Sequence, residues 1–289
     1  MAGPEAIEVG PVLRAGIAVG LRRWWIFVLS GVAVAVGCLG WMTLLGRCLI
    51  SPACASTDMF EFIVTRIDWI PWLANRLVGW PIMAFALYHV LVTERGNSAH
   101  TKTGRPPRSR RIVHYAWCFA YFVAISGTAE LIWMAPVPRV LPPDLAWLAL
   151  CIECAVASGI WAYVDARFAI HLAAMILRRK DESHVWNWAT IADGRRRVIS
   201  LFFAIEAVLF VADHFVFSRT YAVIDYWALG RWVSSITLLP RDFLTFRLPE
   251  YVEYMIYISI SNMVCTGAFV AIHRRLSGSS LHGTAAVFD

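Results

Sequence analysis

Six acidic or imidazole side chains fall inside long apolar runs of this chain: Glu130, Glu153, Asp165, Glu206, Asp213 and His214. An ionisable group in such a run is expensive to bury and by default marks a functional site. Glu130 lies about five residues, Glu153 about eight, and Asp213 with His214 about five from the end of the run remote from the arginine-rich segments. At about 1.5 Å per residue these four groups share a layer roughly 7 to 12 Å below one surface. Glu250 and Glu253 begin the last run just above that layer. Carboxylate oxygens and an imidazole nitrogen brought to one depth by several helices are what a metal or proton site in a bundle requires. Copper, iron, manganese or zinc would each accept such donors, and the spacing does not choose among them. Two other readings stay open. Glu130 and Glu153 can pair with Arg139 or span-end backbone and lock the bundle, or the carboxylates can pass protons or a solute.

A second set lies toward the opposite face. His89 and His114, on consecutive apolar runs, could clamp a haem b iron from two sides, whereas His114, two residues inside its run after Arg108-Ser-Arg-Arg111, suits a snorkelling interfacial role equally well. Asp165 and His171 are six residues apart and point to different faces of a helix, so they cannot hold one ion side by side. The expectation for Asp165 is to snorkel toward the neighbouring basic loop. Glu206, near the middle of its run, is expected to hold a proton or to pair with a neighbouring helix.

The elements that position these groups follow from composition. Of 289 residues 59% are hydrophobic and 16% charged, with 14 Trp, and the mean hydropathy is +0.59. An ordinary soluble domain carries about 45–50% apolar and about 25% charged residues. These values predict an all-α polytopic membrane bundle in contact with the lipid bilayer. The net charge of +6 comes from short basic runs between apolar segments, where topology signals belong, which argues against nucleic acid as a partner. Lys occurs only at Lys102 and Lys180, which excludes a retinal Schiff base within a span.

Six runs approach the ~20 residues needed to cross a bilayer: about 24–46, 77–93, 112–135, 145–177, 198–218 and 250–272. The fourth is too long for one straight crossing, and its last turns from Asp165 are expected to emerge as an amphipathic extension. Residues 1–23 and 275–289 then form N- and C-terminal cytoplasmic segments around a membrane domain at 24–274. Lys and Arg number 17 on the side of the termini and the loops 94–111 and 178–197, against 8 on the other. The positive-inside rule therefore puts both termini in the cytoplasm, as for a bacterial inner or plasma membrane.

The outer stretches Met59–Asn75 and Tyr221–Phe246, the latter with Tyr226, Trp227 and Trp232 as anchors, suit interfacial helices. Ala135–Asp144 reads as a rigid proline turn. No GxxxG face of note stands out. Cys38, Cys118, Cys151, Cys154 and Cys265 read as small hydrophobes in apolar runs, while Cys48 and Cys54 flank an outer loop and are placed to form a disulfide.

The layout of six spans with an acidic and histidine layer at their outer ends resembles a metal-binding membrane subunit of the copper membrane monooxygenases, the ammonia and particulate methane type. The stretch from His114 through Ile125, with Trp117 and Tyr121, is similar to that family's third span. The resemblance implies a membrane subunit of an oxidoreductase complex with copper or another transition metal near the outer leaflet. The family's Asp-x-x-x-His pair is replaced here by Glu130 through Pro136 without a histidine, so no family ligand transfers. The expectation is accordingly an oxidoreductase subunit, monooxygenase-like, in company with other membrane subunits and with a metal at Glu130, Glu153, Asp213 and His214. The alternatives are a proton- or cation-coupled transporter or channel, and a non-catalytic assembly subunit.

The charge asymmetry predicts that, on a cysteine-free background, an impermeant thiol reagent labels single cysteines placed in 47–76 or 219–249 from outside intact cells. Those in 94–111 should label only after permeabilisation, and labelling at position 104 in intact cells would contradict the orientation.

Overall fold

The computed structural model describes residues 8–50, 75–97, 108–133, 146–177, 188, 191, 194–215, 224–237 and 241–277. Among them the only regular structure is helical. The helices are α1 (Val9–Arg22), α2 (Trp24–Ile50), α3 (Trp80–Asn97), α4 (Arg108–Trp133), α5 (Ala146–Leu172), α6 (Arg195–Phe215), α7 (Tyr226–Thr237) and α8 (Arg241–Leu276). Single wide π-turns lead into α3 at Asn75–Gly79 and extend α5 at Ala173–Leu177.

Four of these helices are long and apolar enough to cross a membrane: Trp24–Trp41, Arg76–Arg95, Trp147–Leu177 and Met255–Leu276. α4 and α6 have spanning length, with 26 and 21 residues, but each opens on arginines and carries polar groups along its course. The aliphatic side chains that face outward are as informative as those packed inside. Val36 in α2 is 63% exposed and Val208 in α6 is 68% exposed. A water-facing helix would place charge at such positions, whereas lipid accepts them without cost.

The described residues form two compact units, one within 1–27, 84–211 and 260–289, the other within 28–83 and 212–259. In the first, the N-terminal segment folds as the amphipathic helix α1, burying Val12, Ala15, Gly16, Ala18, Val19 and Gly20. Helix α1 ends at Arg23, whose N–H donates to the Gly20 carbonyl at 3.0 Å. Although the sequence shows no GxxxG dimer face of note, Gly16 and Gly20 form a close-packing seam within this chain. A Cβ on Gly16 would stand 2.9 Å from the backbone nitrogen of Ala268, one on Gly20 2.7 Å from the Met263 carbonyl, and one on Gly267 would overlap the Gly16 carbonyl. Small residues let two helix backbones approach, which replaces the hydrophobic driving force that lipid does not supply.

Glu94, read from sequence as the first loop residue after the second span, lies instead in α3 at 3% exposure. Its carboxylate accepts from Arg23 Nε at 3.4 Å and from Arg274 Nη2 at 2.8 Å. This bridge ties the α1–α2 junction and the ends of α3 and α8 to one anion, so removing Glu94 would leave two guanidinium groups facing each other. Trp188 stacks between two further arginines, with Arg167 at 5.1 Å and Arg195 at 5.7 Å from its ring centre.

In the second unit, Asp225 Oδ1 caps α7 by accepting from the N–H groups of Trp227 at 3.1 Å and Ala228 at 3.0 Å. Trp227 and Trp232 are exposed, as expected of interfacial anchors, but Tyr226 turns inward and packs with Val233 and Leu248. Helix α8 starts earlier than the apolar run suggests and continues through Pro249, which removes one backbone donor from its first part. The expected interfacial helix at Met59–Asn75, apart from its last residue, the proline turn at 135–144 and the Cys48–Cys54 pairing lie outside the described residues and side chains.

Replacing Gly16 or Gly267 by Leu should lower the melting temperature in detergent, consistent with a cost of at least ~1–3 kcal/mol for overpacking. Gly127, whose Cβ position is open, is the control, and equal melting of all three variants would contradict the seam.

Candidate functional site

The polar centre of the first unit is built by four helices. Helix α4 contributes Tyr121, α5 Asp165, α6 Glu206 and α8 Cys265. Asp165 is 0% exposed, Cys265 1% and Glu206 4%. Tyr121 donates its hydroxyl to Asp165 Oδ1 at 2.7 Å. The Asp165 and Glu206 carboxyl groups hydrogen-bond to one another. The Cys265 thiol faces Glu206 Oε1 at 3.6 Å and Asp165 Oδ2 at 3.9 Å, and the sulfur also meets the side chain of Ser261 one turn away. Aromatic rings enclose the group. Phe168 and Phe269 lie 5.5 and 5.6 Å from the Tyr121 ring, and Phe202 lies 5.7 Å from Phe269.

Helix length explains why these four groups meet. Tyr121 stands thirteen residues from Arg108, Asp165 twelve from Leu177, Glu206 eleven from Arg195 and Cys265 eleven from Leu276. At about 1.5 Å per residue that is roughly 16 to 20 Å from the arginine-bearing ends, near the middle of a hydrocarbon layer about 30 Å thick. The lateral register is set by small residues. Ala162, Ala166 and Ala169 are buried around Asp165 and let the neighbouring helices close over its short side chain.

Asp165 does not snorkel to the basic loop. The apolar run continues beyond it to Leu177 as one helix and its π-turn, so the carboxyl stays deep and finds Tyr121 instead. His171 is exposed and meets the edge of Trp117 at 4.3 Å, on a different face from Asp165, as their spacing requires. Arg167 stacks on Tyr163 and Trp188. Glu206 has the neighbouring-helix partner expected of it. Cys265, read as a small buried hydrophobe, is buried but faces two carboxyls. Cys38 and Cys118 are buried as expected, while Cys151 is exposed.

The outer layer is only partly described. Glu153 and Asp213 are half-buried, and the side chains of Glu130 and His214 lie outside the described residues. Of the histidine pair, His89 is exposed and stacks on Phe85 at 6.1 Å between ring centres, whereas His114 is buried at 7% exposure with Nδ1 lacking a hydrogen-bond partner. Among the described residues, the one group of three side chains able to hold a metal is Asp165, Glu206 and Cys265, with ligand atoms all within 4.8 Å of one another.

Comparison of the chain with protein-family models, with curated proteins and with solved structures returned no match in any of the three.

The hydrogen bond from Tyr121 has a measurable share in this centre. Tyr121→Phe keeps the ring contacts and removes only the donor to Asp165, so it should destabilise the protein by about 1.5–3 kcal/mol. An unchanged melting temperature in detergent would contradict that bond.

Proposed function

We propose that this integral membrane protein is a proton- or cation-coupled transporter whose binding centre is the Asp165–Glu206 carboxyl pair. One observation carries the reading: two carboxyl groups, shielded from solvent and hydrogen-bonded to each other, sit where several helices cross. Bare charge at that place is too costly to keep, so the pair must hold a proton or a cation between its oxygens. A group that must be neutralised in the core, and can be neutralised by different ions, is the functional element of ion-coupled membrane proteins.

Six spans support this reading better than four. Helix α6 buries Glu206 while exposing Phe203, Val208 and Val211, and α4 buries Cys118, Tyr121 and Phe122 while exposing Val113 and Val123. Both are polar inward and apolar outward, the inverse of a helix in water. With α4 and α6 counted as spans, the arginine-rich ends of α4, α6 and α8 fall on the cytoplasmic side, as the charge count requires. The oxidoreductase-subunit expectation rests on the outer layer, of which only the half-buried Glu153 and Asp213 side chains are described, and the core geometry favours ion coupling.

Reconstituted into liposomes under a membrane potential with a pH-sensitive dye inside, the protein should move protons, and Asp165→Asn and Glu206→Gln should each slow that flux at least about ten-fold. Flux equal to the wild type in both variants would contradict the assignment.

A further inference from the structure

The same centre has the shape of a transition-metal site. We propose that Asp165, Glu206 and Cys265 bind a divalent zinc-class cation as the exchange partner of the protons. The exchange rests on the proton reading above, whereas the metal site stands on its own geometry. A zinc ion held tetrahedrally with metal–oxygen distances of about 2.0–2.2 Å and a metal–sulfur distance of about 2.3 Å puts its oxygen and sulfur ligands roughly 3.6 Å apart. The Cys265 sulfur lies 3.6 Å from Glu206 Oε1 and 3.9 Å from Asp165 Oδ2. The three donors come from three different helices, leaving a fourth position open to a water or a transported anion. Thiolate with two carboxylates is a borderline donor set that selects zinc and its chemical relatives over magnesium or calcium. Tyr121 holds Asp165 by its other oxygen, Oδ1, as an outer hydrogen bond that fixes a metal-binding carboxylate does.

A second observation points to a ligand that reaches this place. Ser158 is 0% exposed and Asn262 6% exposed, yet Ser158 Oγ and Asn262 Nδ2 have no hydrogen-bond partner. Ser158 is two turns from Asp165 on the same face of α5, and Asn262 is one turn from Cys265 on the same face of α8. Both lie on the side of the centre away from the arginine-bearing helix ends. Buried orphan polar atoms in a membrane interior are costly unless water or an ion visits them. They provide polar steps from the outer side toward the three donors.

The exchange balances. Before binding, the carboxyl pair holds one proton between its oxygens and the thiol holds another. On binding, metal–oxygen bonds form to Asp165 and Glu206 and a metal–sulfur bond to Cys265. The shared carboxyl proton and the thiol proton leave, two for each divalent ion. The charge of the buried group is the same before and after, so neither state adds an uncompensated charge to the core.

The test uses the full chain in detergent or nanodiscs, freed of metal and titrated with cobalt(II) chloride. Expected are one cobalt per chain, a near-ultraviolet thiolate-to-cobalt band and two protons released per cobalt in weak buffer. The band should vanish in Cys265→Ser and persist in Cys118→Ser, and binding should weaken at least about ten-fold in Asp165→Asn. No thiolate band in the wild type, or one that survives in Cys265→Ser, overturns the site. X-ray absorption of the zinc-loaded wild type needs no variant. One sulfur at about 2.3 Å with oxygens at about 2.0–2.2 Å supports it, and an all-oxygen shell overturns it. Proton flux is read separately in metal-free liposomes: a protein that moves protons but binds no cobalt loses only the metal site, and one that binds cobalt through Cys265 but moves no protons loses only the exchange.

Discussion

Two carboxyl groups placed together in an apolar core cannot both remain bare anions, and the architecture of the first unit is organised around that constraint. Asp165 and Glu206 answer it by bonding to each other, with a phenol and a thiol as further neighbours. The aromatic rings around them keep water out, which makes every polar contact inside stronger and every missing one more costly. Helices that carry such a centre have to present it inward and turn aliphatic side chains to lipid. That is the pattern of α4 and α6, whose composition alone falls short of a typical span.

A centre of this kind needs walls that do not shift. The glycine seam between α1 and α8 brings backbone against backbone at Gly16 and Gly267, and the Glu94 bridge joins α3 and α8 to Arg23 at the ends of the same helices. Both devices act on α8, the helix that delivers Cys265. A change in either should be felt at the thiol without touching it, because close-packed interiors transmit displacement rather than absorb it.

The helical class and the membrane setting were legible in the sequence, since composition and long apolar runs suffice for both. The centre was legible only in pieces. Asp165 and Glu206 stood out as ionisable groups at depth, but distances counted from the outer ends of the spans grouped Glu130, Glu153, Asp213 and His214 instead. Counting from the arginine-bearing ends brings Tyr121, Asp165, Glu206 and Cys265 to one level. That choice depends on where α5 stops, and the apolar residues after Asp165 decide it. Cys265 carried no signal of its own, because a cysteine in an apolar run looks the same whether it faces a phenylalanine or a carboxylate. Gly16 and Gly20 were visible as a spaced pair, but only the partner helix shows what the spacing is for.

The central claim is that the Asp165–Glu206 pair holds a proton between its oxygens when no metal is bound. Infrared spectroscopy of the metal-free protein in lipid tests it most directly, because a protonated carboxyl has a carbonyl stretch well separated from that of a carboxylate. The expected result is a protonated-carboxyl band that is resistant to exchange in heavy water and is lost or shifted in both Asp165→Asn and Glu206→Gln. A spectrum without that band, or one in which it is unchanged in both variants, would contradict the account.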